Sequence, residues 1–122
     1  MIIKMRTNCD CMVAVLAMLL NCSYEEAGEY FPPKAIKHTG YRWEWLIPYL
    51  SKCGVHLTWF EQRTIHLVDW TKPAMVDVPS LTTDIGDHII YWDGEKVIDP
   101  SNTVKYKKLP KIIYNVYQYK IS

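Results

Sequence analysis

Helices in the first half of the chain and strands in the second predict an α+β domain in which an antiparallel sheet covers a buried helix. Three observations carry this expectation. Met12 to Leu20 is an unbroken apolar run beginning just after Cys11. Trp43, Leu46, Ile47 and Leu50 repeat at the i, i+3, i+4, i+7 spacing of one helical face. From Val55 the pattern changes to strand-like alternation, and Asp93-Gly94 supplies a strong hairpin signal. At 122 residues the chain is long enough for one domain with a single modest core. We divide it into a helical part, 10–54, and a sheet part, 55–122.

The elements follow in order. Asp10 is a good N-cap for a helix starting at Cys11, and that helix, lacking a polar face, is expected to be buried all round. Ser23-Tyr24-Glu25-Glu26 is a capping box that opens a short helix reaching about Tyr30, ended by Phe31-Pro32-Pro33. Residues 34–41 read as a loop. A third helix is expected from about Arg42 to Lys52, kinked or broken by Pro48, with Gly54 as its left-handed cap. Strands are expected at Val55–Phe60, with Val55, Leu57 and Trp59 on one face, at Pro73–Pro79, Asp87–Trp92 and Glu95–Asp99, and at Ile112–Ile121. Ile65–Trp70 is ambiguous.

Composition excludes more than it selects. The net charge of +1 favours no class of partner, although residues 77–99 are acidic and residues 101–122 carry five lysines and no acid. Those lysines read as protection of a solvated sheet edge and not as a nucleic-acid surface, so no nucleic-acid partner is expected. Lys4 and Arg6 before an apolar run imitate a secretory signal, but Asp10 interrupts the approach and Asn21-Cys22-Ser23 lacks a small-x-small cleavage site. The run is too short to span a bilayer. A cytoplasmic protein with no membrane association is therefore expected. Cys9, Cys11, Cys22 and Cys53 do not make a disulfide framework in a chain of this size. Cys9-x-Cys11 resembles half of a metal site, but His38, His56, His66 and His88 are scattered and complete no second pair, so no metal or other cofactor is expected.

Two stretches carry chemistry. A cysteine in the first turn of a helix meets unpaired backbone N–H groups and the positive end of the helix dipole, which favour a thiolate. Downstream, a two-residue Asp93-Gly94 turn pairs Trp92 with Glu95, Tyr91 with Lys96, Ile90 with Val97, Ile89 with Ile98, and His88 with Asp99. Directly opposed residues share a face, so the Asp99 carboxylate can orient the His88 ring and raise its basicity. Cys11, His88 and Asp99 then form a nucleophile, base and orienter. The other histidines lack a comparable partner in sequence, and Cys9, Cys22 and Cys53 read as structural. The five tryptophans and nine tyrosines are mostly core and sheet, with Trp45, off the apolar face of its helix, the best candidate for a partner surface.

Asp10-Cys11, the apolar helix from Val13 to Leu20, and Ser23-Tyr24-Glu25-Glu26-Ala27 resemble the start of papain-like cysteine peptidases of the C39-like group. The stretch from Asp87-His88 to Asp99-Pro100-Ser101 resembles that group's His strand and Asp-Pro strand. The resemblance implies a papain-like fold and a thiol-dependent hydrolase or acyl transferase acting on a peptide, isopeptide or amide bond, with a peptide or protein substrate. Two positions depart from the group's pattern. Met5 stands six residues before Cys11, where the group has a Gln that donates to the oxyanion, and Met12 stands where it has Gly. A thioether cannot donate a hydrogen bond. Loss of one oxyanion donor costs roughly 10²–10³ in kcat. The backbone N–H of Cys11 remains, with Asn8 or a group from the 79–86 loop as substitutes. The same departures support an alternative, a papain-like module of weak or no activity that binds a protein. Small C39-like proteins also occur in phages, which makes host interaction part of this alternative. A metal or redox protein using Cys9-x-Cys11 is the third reading.

Overall fold

The computed structural model describes residues 2–6, 10–31, 43–82 and 86–120. Expectations placed on Asn8, Cys9, Pro32, Pro33, His38, the 34–41 loop and the side chains of Trp43 and Trp45 lie outside the described residues. The order of elements is α1 (Cys11–Leu20), α2 (Tyr24–Gly28), α3 (Trp43–Lys52), β1 (Leu57–Phe60), a 3₁₀ turn (Ile65–Leu67), β2 (Ala74–Pro79), β3 (Asp87–Trp92), β4 (Val97–Ile98) and β5 (Asn115–Tyr119). The architecture is α+β, as expected.

Helix α1 is buried from Met12 to Leu19. Burying each Val or Leu side chain contributes about 1.5–3 kcal/mol. The weak helix preference of Val costs no more than about 0.7 kcal/mol, so burial decides the conformation at Val13 and Val15. The helix stops at Asn21, which is left-handed at φ 55°. There Cys22 N donates to Ala17 O and Asn21 N to Met18 O, closing the end with a Schellman arrangement. The beginning differs from expectation. Asp10 makes no side-chain cap. Its Oδ2 instead accepts from Arg6 N at 2.8 Å and from the Tyr24 hydroxyl at 2.6 Å. Arg6 also lies 4.0 Å over the Tyr24 ring. Asp10 therefore ties the N-terminal segment and α2 to the start of α1.

The capping box is present: Glu26 N donates to Ser23 Oγ, and Ser23 N donates to Glu26 Oε1. Helix α2 ends at Gly28, two residues earlier than expected. Helix α3 continues through Pro48 and buries Leu46 and Leu50. It closes as expected at Gly54, φ 87°, where Val55 N reaches back to Leu50 O.

The five strands form one antiparallel sheet in the order β1-β5-β2-β3-β4. Alternation divides its core in two. Met75, Ile89, Tyr91 and Tyr117 pack with α1, α2 and α3. Val76, Val78, Ile90 and Val116 pack with Val68 and with Phe60, Trp70, Trp92 and Leu109 on the other side. Trp59, expected on an apolar face, is half exposed on the edge strand and stacks on Tyr117.

The basic C-terminal stretch does not form a sheet edge. β5 inserts between β1 and β2, and its five lysines lie in exposed segments before and after that strand. No helix among the described residues is long and apolar enough to cross a membrane.

The hairpin is also corrected. Tyr91 pairs with Ile98 and Trp92 with Val97, leaving a four-residue loop. A type I′ turn needs positive φ at both central residues, and among the described residues of this loop only Gly94 has it, at 103°. The Asp93 carboxylate instead accepts from Glu95 N and Lys96 N, each at 2.8 Å, and widens the connection.

Candidate active site

The corrected register places Asp99 opposite Ile90 and not opposite His88. The slip is two residues, and an even slip keeps every side chain on its original face. Asp99 is thus the diagonal neighbour of His88, within reach of an imidazole. His88 Nε2 and Asp99 Oδ1 are 2.7 Å apart. The Asp99 side chain is 1 % exposed and that of His88 16 %.

Asp99 lies just past the end of β4, so its position depends on its own bonds. Oδ1 also accepts from Ser101 N at 2.9 Å, and Oδ2 accepts from Tyr106 N at 2.8 Å. Tyr106 in turn donates its hydroxyl to Pro79 O at 2.5 Å, linking this segment to the end of β2. The N-terminal segment runs alongside, with Met5 N donating to Pro100 O at 2.9 Å and Asn102 Nδ2 to Met5 O at 3.0 Å. These contacts join residues from both ends of the chain around one carboxylate.

Cys11 stands in the first turn of α1 and lines the same cleft as His88, close enough for its sulfur to raise the basicity of the ring. Since Nε2 is committed to Asp99, Nδ1 is the ring nitrogen left for the sulfur. Burial alone pushes the imidazole down. The hydrogen bonds to Asp99 and Cys11, together with their negative charges, outweigh burial and raise it to about 9. Burial opposes ionisation of Asp99, but its bonds to His88, Ser101 and Tyr106 hold the carboxyl below its ordinary value. At neutral pH this arrangement holds an imidazolium between a sulfur and a carboxylate.

All three residues singled out as a triad are therefore in one place. The oxyanion candidates divide: Cys11 N lies at the helix start, where backbone N–H groups lack intrahelical partners, whereas Asn8 is outside the described residues. A cleft of about 540 Å³ opens beside the sulfur, with Met5 and Cys11 on one side, Ser80 and Thr82 on another, Asp87 and His88 at the base of β3, and the 101–104 segment closing it. Met5 thus lines the cleft.

Asp87 and its neighbour Asp77 were not among the site residues expected from the sequence. An acid inside the apolar run Ala74-Met75-Val76-Asp77-Val78 was the available signal, because a buried strand rarely holds a carboxylate without a partner.

The remaining candidates do not join the site. His56 interacts with Ser51 Oγ, and His66 lines a separate groove with Trp70 and Ile113. Cys11, Cys22 and Cys53 are free thiols. Among the described residues no group of three His, Cys, Asp or Glu side chains is placed to hold a metal ion. In comparisons with known proteins, no family model matches the chain and no curated protein matches it.

Proposed function

We propose that this chain is a thiol-dependent hydrolase or acyl transferase of papain-like fold, acting on a peptide, isopeptide or side-chain amide through Cys11, His88 and Asp99. The observation that carries this reading is the convergence of Cys11 and the Asp99-bound His88 ring on one cleft, where the sulfur and the imidazole interact. In this mechanism the Cys11 sulfur attacks the carbonyl carbon, and the His88 imidazolium gives its proton to the leaving amine. The acyl group is then held on sulfur as a thioester. Neutral His88 next takes a proton from water, or from an acceptor amine, as that group attacks the thioester and frees the thiol. Asp99 keeps the ring oriented and stabilises its charged form without itself taking the proton. The N–H of Cys11 serves the developing oxyanion.

The test is alkylation. Iodoacetamide is expected to modify Cys11 far faster than Cys9, Cys22 or Cys53, and His88→Ala to abolish the difference. Equal rates at the four thiols would remove the proposal.

A second reading is favoured by Met5, which lines the cleft where the resemblance places a donor side chain. In it the same fold binds a peptide or protein without turnover. Biological activity that survives Cys11→Ala in a folded protein would select this reading over the first.

A further inference from the structure

The cleft contains a charge that thiol chemistry does not use. Among the described residues lining it, Asp87 is the one carboxylate, and it lies at the exposed first position of β3, next to His88. The His88 imidazolium is matched by the buried Asp99 carboxylate, which leaves Asp87 as the unmatched acid among the described residues lining the cleft.

Behind Asp87 is Asp77. The strand register pairs Asp77 with Ile89 and Pro79 with Asp87, which makes the two acids diagonal neighbours on one face. Asp77 is 2 % exposed, and its Oδ2 accepts from Asn115 Nδ2 at 2.8 Å. Its Oδ1 is buried with no donor, and its diagonal neighbour Asp87 is near enough to raise its carboxyl. Two ionised carboxylates cannot bond to one another. One proton on Asp77 resolves both facts, because the buried acid then donates an O–H to Asp87 and leaves that exposed carboxylate charged and held. Burial first, and then the bond to Asp87, push the Asp77 carboxyl up to about 8 against the pull of Asn115 and His88.

We propose that Asp87, held by protonated Asp77, is the specificity residue of this cleft and receives the cationic side chain of a lysine or arginine next to the bond that Cys11 attacks. This rests on the thiol-hydrolase reading and narrows its substrate to basic peptides. Asp77 is a positioning residue, acting through Asp87.

The test uses the full chain and three peptidyl vinyl sulfones that are identical except for a lysyl, norleucyl or glutamyl side chain beside the electrophile. The rate of Cys11 modification is followed by mass spectrometry and divided by the iodoacetamide rate on the same protein. The lysyl probe is expected to lead the norleucyl probe by about five- to tenfold, as for a partly exposed charge-assisted contact, with the glutamyl probe slowest. Asp87→Asn is expected to level the three. Asp77→Asn, which keeps an N–H donor toward Asp87, is expected to retain the lysyl preference. Equal normalised rates on a wild-type Cys11 that still outpaces the other cysteines toward iodoacetamide would overturn this proposal and leave the thiol reading standing. A Cys11 no faster than the others toward iodoacetamide would remove both. Loss of the preference in Asp77→Asn would overturn the role given to Asp77.

Discussion

Replacing Asp99 by Asn removes one charge without changing the size of the side chain, and the structure specifies how the cost depends on pH. Three donors converge on this carboxylate: His88 Nε2, Ser101 N and Tyr106 N. An amide has only one acceptor oxygen. If that oxygen stays with His88 and Ser101, the NH₂ group faces the Tyr106 N–H, and a buried donor left unmatched costs about 1–3 kcal/mol at any pH. The second part of the cost belongs to His88. Raised from 6.5 to about 9, the ring carries on the order of 3 kcal/mol of interaction in its charged form, shared between Asp99 and Cys11. Because the folded value lies above the unfolded one, this stabilisation is fully present below about pH 6.5 and is lost as pH rises through about 9. Asp99 itself, lowered by folding, is ionised in both states across this window and adds no pH dependence there. Asp99→Asn is therefore expected to cost roughly 3–5 kcal/mol near pH 6 and roughly 1–3 kcal/mol near pH 10. Urea unfolding of both proteins at the two pH values measures this. A loss of stability that is the same at both would refute the assignment of His88 as a charged partner of Asp99.

Two further predictions concern residues outside the triad. Asp77 has a folded value raised from 3.8 to about 8, so its burial costs stability above the unfolded value, fully so beyond about pH 8. Asp77→Asn is accordingly expected to gain on the order of 4 kcal/mol relative to wild type between pH 5 and pH 9 in the same unfolding assay; no change in the relative stability would exclude a protonated Asp77. At the β3–β4 loop, a Cβ on Gly94 would stand 2.9 Å from Thr71 O at φ 103°, whereas at Gly54, φ 87°, it would meet nothing within 4 Å. Both Ala variants carry about 1–2 kcal/mol of left-handed strain, and Gly94→Ala is expected to lower Tm clearly more than Gly54→Ala by the added backbone clash. Equal shifts would count against the close approach of this loop to Thr71.

The site was legible to the extent that its chemistry is local. Cys11 could be identified because an uninterrupted apolar run must be buried and must begin where polar residues stop. His88 and Asp99 could be paired because a short connection between two strands constrains which faces they share. The exact pairing was not legible. It depended on Asp93 capturing two backbone N–H groups, and the reading survived because that change moved the register by two residues and not by one. Asp77 and Asp87 could not be assigned to the site from sequence because the meaning of an acid in a strand depends on what lies across from it.

By itself, the order of apolar runs, caps and turn residues determined an α+β chain with a fully buried first helix, a capping box at Ser23 and a strand beginning at Asp87, since these follow from periodicity and from hydrogen bonds within a few residues. Only the tertiary structure decided that β5 lies inside the sheet, that Asp10 binds Arg6 and Tyr24 in place of capping α1, and that Asp99 is secured by Tyr106. Each of these is a choice among partners distant along the chain or competing for the same polar group. Such choices are settled by which pairing leaves the fewest buried donors and acceptors unmet once the whole core has closed.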